Sequence, residues 1–173
     1  MSRQVAFLRA INVGGRRIAS DELAALFERL GFDEVGTYLA SGNVVFGSDE
    51  PADVIAGRIE EAFQVDYDWE VPTFVRTLDD VAELAATDVF GDADGDTKQY
   101  VIFGKSQLEP HQAELDALSN NVDTFVARGR EIHWLRDMHA GESRTTGEVE
   151  KALGVELTRR TVRTLERLVG KFG

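Results

Sequence analysis

An α+β fold with mainly antiparallel sheets is predicted by three features of the sequence. Strand-like and helix-like segments follow one another as β-α-β-β-α-β over the first half. A turn-rich acidic stretch, DVFGDADGDTK at residues 88–98, interrupts the middle, and strand-like sequence resumes after it. The 173 residues are 43% hydrophobic, enough to bury the core of one ordinary domain or two small ones.

The first strand is RQVAFLRAINV, rich in β-formers. Val5, Phe7, Arg9 and Ile11 are expected on one face, and Ala6, Leu8 and Ala10 on the other. Both faces are largely apolar, so the strand is expected to be central and covered on both sides. Ser20 has the character of an N-cap, with Asp21 and Glu22 in a first turn where the helix dipole favours acids. Leu23, Leu26, Phe27 and Leu30 form the helix stripe and Gly31 ends it. EVGTYLASGNVVF gives two short strands joined around Ser41, Gly42 and Asn43, a hairpin composition. Pro51 opens a helix whose buried stripe is Ile55, Ile59, Ala62 and Phe63. WEVPTFVRT returns as a strand, and its Pro72 points to an edge position or a strand start. This order is that of a ferredoxin-like unit, here residues 1–90.

Thr77 caps a third helix. KQYVIFG resumes as a strand, and Ser106 with Glu109 has the spacing of a capping box before a helix carrying Leu108, Leu115 and Leu118. VDTFVARGREIHWLR reads as a hairpin turning at Gly129, followed by helices near 147–153 and 160–170. The second half, residues 97–173, is therefore expected to be a degenerate β-α-β-β-α-α copy ending in two helices.

The net charge of −12 disfavours non-specific binding to nucleic acid or to an anionic membrane. Residues 51–100 carry a net −10 and residues 151–173 a net +4. An acidic, lysine-poor composition also suits a high-salt habitat. There is no cysteine, which excludes disulfide and thiolate chemistry. Residues 1–15 lack a signal-peptide pattern and no apolar run approaches the roughly 20 residues of a membrane helix, so a cytoplasmic location is expected.

The candidate site lies on two glycine turns. In a ferredoxin-like sheet of order 4-1-3-2, the end of strand 1 lies beside the turn between strands 2 and 3. Asn12, Gly14 and Gly15 then meet Ser41, Gly42 and Asn43. Glycine lets backbone N–H groups approach a ligand, successive N–H groups form anion-binding nests, and Arg16 and Arg17 add charge-assisted bonds to phosphate or carboxylate. The same glycines also serve as a strand-to-helix turn requiring positive φ and as an ordinary hairpin, and the sequence leaves both readings open. Arg9, on the face of a central strand, requires an acidic partner or a reach to the sheet edge near the glycine loop. Tyr38, beside the hairpin, either stacks on a ligand ring or packs. On the last helix Arg160, Arg163 and Arg167 fall opposite the apolar stripe, a solvated face or a contact for a polyanion.

DADGD follows a calcium loop for three positions, but Thr97 and Phe103 stand where an EF-hand requires Gly and Glu. His111, His133 and His139 show no metal-ligand spacing, and neither a dinucleotide fingerprint, a P-loop nor a G-x-S-x-G motif is present. No cofactor is implied. The expectation is a protein binding a small-anion or nucleotide-like ligand, with single-stranded nucleic-acid binding or a structural, partner-binding role as alternatives.

FLRAINVGGRRIASDELAALFERLGFDEVGTYLASGNVVF resembles the N-terminal signature of an uncharacterised family, domain of unknown function 1697. KQYVIFG resembles its midpoint strand, and SRTTGEVEKALGVELTRRTVRTLERL its C-terminal block. The family usually has Ser-Lys-Leu-Thr at positions 143–146, where this chain has Ser143, Arg144, Thr145 and Thr146. It usually has Thr-x-Arg-Asn-Trp-Asn-Thr where this chain has Thr158 to Thr164 and keeps Arg160 and Thr164. The resemblance implies two ferredoxin-like halves and no activity.

Overall fold

Strand β1 (Arg3–Leu8) is central as its two apolar faces require. It pairs antiparallel with β3 (Asn43–Gly47) on one side and β4 (Thr73–Thr77) on the other, and Val5 to Leu8 are all at most 1% exposed. Strand β2 (Asp33–Tyr38) lies outside β3, giving the order β2-β3-β1-β4. The Ala6–Leu8 face carries α1 (Ser20–Arg29) and α2 (Ala52–Tyr67), with Leu26, Phe27, Ile55, Ile59 and Phe63 packed on Val44, Phe46 and Val75. Val5, Phe7, Val45 and Phe74 share the opposite face by register and are also buried. Pro72 precedes the edge strand β4, where a missing N–H breaks no ladder bond. Helix α3 (Leu78–Ala86) follows, its first turn closed by Thr77 Oγ1 accepting from Asp80 N at 3.0 Å.

The computed structural model describes residues 1–38, 42–91 and 95–173. It divides into two units, Met1–Ala82 with Leu168–Gly173, and Glu83–Arg167. In the second, β5 (Thr97–Phe103) runs between β7 (Glu131–Asp137) and β8 (Thr158–Thr161), with β6 (Asp123–Arg128) outside β7: order β6-β7-β5-β8. Helices α4 (Gln112–Leu118) and α5 (Thr146–Leu153) place Leu115 and Val149 against Tyr100, Ile102, Phe125, Ile132 and Trp134. The last helix is α6 (Val162–Phe172). Within the first unit, Phe172 lies where a Cβ on Gly36 would stand, 2.5 Å from its Cε1.

The second half is thus not a degenerate β-α-β-β-α-α copy in its element order. It repeats β-α-β-β-α-β-α and the strand order of the first, and it gains a strand at 158–161 where the sequence predicted the start of a helix. Two predicted caps are also corrected. The residue capping α1 is Ala19, with no side-chain bond, and Ser20 is already helical. Ser106 caps nothing: a 3-10 turn at Glu109–His111 precedes α4, and Glu109 Oε1 accepts instead from Gly129 N at 3.0 Å. Finally, Ile11 does not share a face with Val5 and Phe7. Strand geometry ends at Leu8, the chain turns through a left-handed Ala10, and Ile11 enters the core with Ala6 and Leu8.

Candidate functional site

Where β1 ends, its last bonds reach both neighbours. Leu8 N donates to Gly42 O at 2.8 Å and Arg9 N to Pro72 O at 3.0 Å, leaving Arg9 half-buried at the strand's mouth. Beyond it the sign of φ alternates, positive at Ala10 (64°), Asn12 (54°) and Gly14 (56°) and not at Ile11 or Val13. In an anion nest, residues of alternating hand turn successive N–H groups toward one concavity, and the alternating sign of φ here is one element of that geometry. The left-handed region costs Ala10 about 1–2 kcal/mol and Asn12 less, because asparagine tolerates it. The loop is held in place by its surroundings. Ile11 and Ile18 are buried in the core, and Asn12 Oδ1 accepts from Ile18 N at 3.0 Å. Arg16 N donates to Val13 O at 3.0 Å, and φ values of 56° and 88° at Gly14 and Gly15 fit a type I′ turn.

Around this turn there is room. A Cβ on Gly14 or Gly15 would meet nothing within 4 Å. The N–H groups of Ala10, Ile11, Val13, Gly14 and Gly15 donate to no partner among the described residues. Arg17 Nη1 reaches back to Asn12 O at 3.4 Å, so its guanidinium stays beside the loop. Arg16 leans the other way. Its Nη1 donates to Glu70 O at 2.8 Å and its guanidinium lies 5.9 Å from the Trp69 ring centre. Trp69 is stacked on Tyr67 (4.7 Å, 23°) and lies nearly parallel to the core ring of Phe63 (15°). Tyr67 Oη lies 3.5 Å from Glu22 Oε2, and burial, then that carboxylate, push the phenol above its ordinary pKa.

The second glycine turn does approach the first. Gly42 has φ 81°, and a Cβ there would lie 2.8 Å from Ile11 Cδ1 and 3.0 Å from Leu8 Cβ. Ser41 lies outside the described residues. Asn43 is fully buried and its Nδ2 donates to Tyr38 O at 2.9 Å, while Lys171 faces the Tyr38 ring at 5.6 Å. The structure therefore brings Arg9, Asn12, Gly14, Gly15, Arg17 and Gly42 to one rim. The side chains of Asn12 and Asn43 both bond the chain's own backbone, and Tyr38 closes the hairpin with Asn43. Sequence reasoning missed Trp69 and Tyr67. The only signal was their place at the end of α2, just before the strand that starts at the same rim.

In the second unit, Arg160 lies in β8 and is buried. Its Nη1 donates to Thr158 Oγ1 (2.9 Å) and Arg159 O (2.8 Å), and burial lowers its pKa to about 10, so it stays cationic at neutral pH. It therefore does not share an outward helix face with Arg163 and Arg167, which are exposed on α6. Arg159 covers the rings of Tyr100 (4.5 Å) and Trp134 (5.3 Å). An open cleft of about 550 Å³ is lined by Thr87, Lys98, Gln99, Thr161, Arg163 and Glu166 among others. Positions 161–163, where the chain departs from the resembled pattern, all border it. The block at 143–146 holds the second unit together. Ser143 Oγ and Arg144 N donate to the buried Asp123 carboxylate, and Thr145 Oγ1 caps α5.

His133 is buried in β7 between Val101 and Val126, and desolvation, then Arg128, lower its pKa to about 4. The unfolded chain binds this proton from about pH 6.5 downward, the folded one only near pH 4. His133 thus favours folding fully above pH 6.5, and that contribution declines as pH falls from 6.5 through 4. A loss of up to about 3 kcal/mol across this window is expected in urea titrations, and His133→Gln should flatten it. An unchanged slope in the variant would assign the acid sensitivity elsewhere.

No group of three metal-ligating side chains exists among the described residues. Asp92, Ala93 and Asp94 of the calcium-like stretch lie outside them. No helix of the described residues is long and apolar enough to cross a membrane.

Residues 1–133 match the model of DUF1697, a protein family of unknown function. No curated protein matches the chain. Among solved structures, a conserved bacterial protein from Streptococcus pneumoniae is similar in fold. It has a TM-score of 0.72 at 21% identity, over 98% of this chain and 97% of that one.

Proposed function

Because the chain belongs to DUF1697, a family that brings no activity with it, its function has to be argued from its own geometry, and we propose that it binds a small anionic ligand, phosphate or carboxylate, at the rim formed by residues 10–17. One observation carries this reading: the alternation of φ over Ala10–Gly14, with the N–H groups of Ala10, Ile11, Val13, Gly14 and Gly15 donating to no partner among the described residues. A plain strand-to-helix turn needs one left-handed glycine. It does not need a strained left-handed alanine as well, a cost tolerated where geometry serves a ligand. Arg17 supplies the neutralising charge, and Gly14 and Gly15 leave the approach clear. We also assign each unit to the ferredoxin-like class, supported by the repeated β-α-β-β-α-β order and the strand order 2-3-1-4 in both sheets.

The test is an amide-resolved NMR titration with inorganic pyrophosphate. The Val13, Gly14 and Gly15 signals should move together and saturate at millimolar ligand or below. Arg17→Ala should weaken binding about tenfold, the loss of one charge-assisted contact. Amides at 13–15 that stay still while pyrophosphate is added would end the reading.

A further inference from the structure

We infer that the anion rim continues into a nucleobase platform made by Trp69 and Tyr67, so that the ligand of this site is a nucleotide; this rests on the anion reading above. Three observations converge. First, the two features are joined by one side chain. Arg16 follows Gly15 directly, and its guanidinium ends over the Trp69 ring with Nη1 on Glu70 O. The platform therefore begins one arginine's length from the open amides. Second, the platform is flat and supported, with the Arg16 guanidinium over Trp69 as the group a base would stack on or displace. Trp69 and Tyr67 are stacked, Trp69 runs parallel to Phe63 in the core, and both outer rings are only half-buried. Third, the charge changes sign along the rim. Arg17 and the backbone donors lie at the turn, while the Glu22 carboxylate lies at the Tyr67 hydroxyl and Asp66 is paired with Arg29. A second phosphate is repelled at that end, whereas sugar hydroxyls and base amino groups donate to such a carboxylate. An aromatic face adds stacking that every base supplies and an inorganic anion does not.

The experiment compares ADP with pyrophosphate on the full chain by calorimetry, with tryptophan emission as a second readout. Of the two tryptophans Trp134 is fully buried, so quenching reports Trp69. ADP should quench emission and bind about tenfold or more tightly than pyrophosphate, as stacking of one base predicts. Trp69→Leu should bring ADP down to the affinity of pyrophosphate and leave pyrophosphate itself unchanged, which also certifies that the rim remains folded. Tyr67→Leu gives a second variant with a smaller loss of the same kind. ADP binding no tighter than pyrophosphate, with both sensitive to Arg17→Ala, overturns the platform and keeps the anion site. Absence of binding by either probe overturns both.

Discussion

Asp123→Ala is expected to destabilise the second unit by about 3–5 kcal/mol, more than any other substitution considered for this chain. The carboxylate is fully buried at the start of β6. It accepts from Trp134 Nε1 at 2.7 Å, Ser143 Oγ at 2.8 Å and Arg144 N at 2.6 Å. While Ser143 Oγ keeps its bond to Arg144 O, alanine leaves Trp134 Nε1 and Arg144 N without their acceptor, and each orphaned buried donor costs roughly 1–3 kcal/mol. It also releases the segment leading into α5, whose Val149 sits in the same core as Trp134. Ser143→Ala removes one donor and leaves the acceptor two others, so it should cost only about 1 kcal/mol. Urea unfolding followed by Trp134 emission separates the two by their midpoints. An Asp123→Ala midpoint close to that of Ser143→Ala would show that the carboxylate does not organise this region.

Asp123 also marks a limit of what the sequence discloses. An acid after Asn120, Asn121 and Val122 has the composition of a turn, and its partners stand 11, 20 and 21 residues away. Nothing local signals them. Strand β8 was hidden for a related reason. Its four residues, TRRT, are polar, and the arginines at 160, 163 and 167 follow a helical spacing into α6. Pairing with β5 overrides that spacing, because Thr158 and Arg160 share a face with Phe103 and Val101. By contrast the stripes of α1 and α2, the central place of β1 and the edge place of β4 were legible, since each rests on burial periodicity or on proline chemistry. The rim was half legible. Glycine announces positive φ at positions 14, 15 and 42, but left-handed Ala10 and Asn12 carry no such mark, and they make the alternation. The asparagines were visible as polar side chains near turns. Whether they face a ligand or their own backbone is decided by bonds such as Ile18 N to Asn12 Oδ1, which a sequence does not print.

Gly42→Ala is expected to cost about 2–4 kcal/mol and to weaken anion binding with it. Two terms add. A φ of 81° is strained for any L side chain by roughly 1–2 kcal/mol. The new Cβ would also stand 2.8 Å from Ile11 Cδ1, 2.9 Å from Ile11 Cγ1 and 3.0 Å from Leu8 Cβ, and overpacking of buried side chains typically costs about 1–3 kcal/mol. Gly31→Ala isolates the first term, because Gly31 has φ 87° and open space around its Cα; it should lose only about 1 kcal/mol. The second term has its own check. Ile11→Val removes the Cδ1 atom in the way, so the double variant should recover part of the Gly42→Ala loss, a coupling of about 1 kcal/mol. The functional consequence follows from the same contact. Ile11 lies between the left-handed Ala10 and Asn12, so displacing its side chain disturbs the alternation that aims the amides. Pyrophosphate affinity should therefore fall in Gly42→Ala and return toward normal in the double variant, although neither residue offers a charge to the ligand. Additive stabilities together with an unchanged affinity would mean that the hairpin turn and the rim are neighbours without coupling.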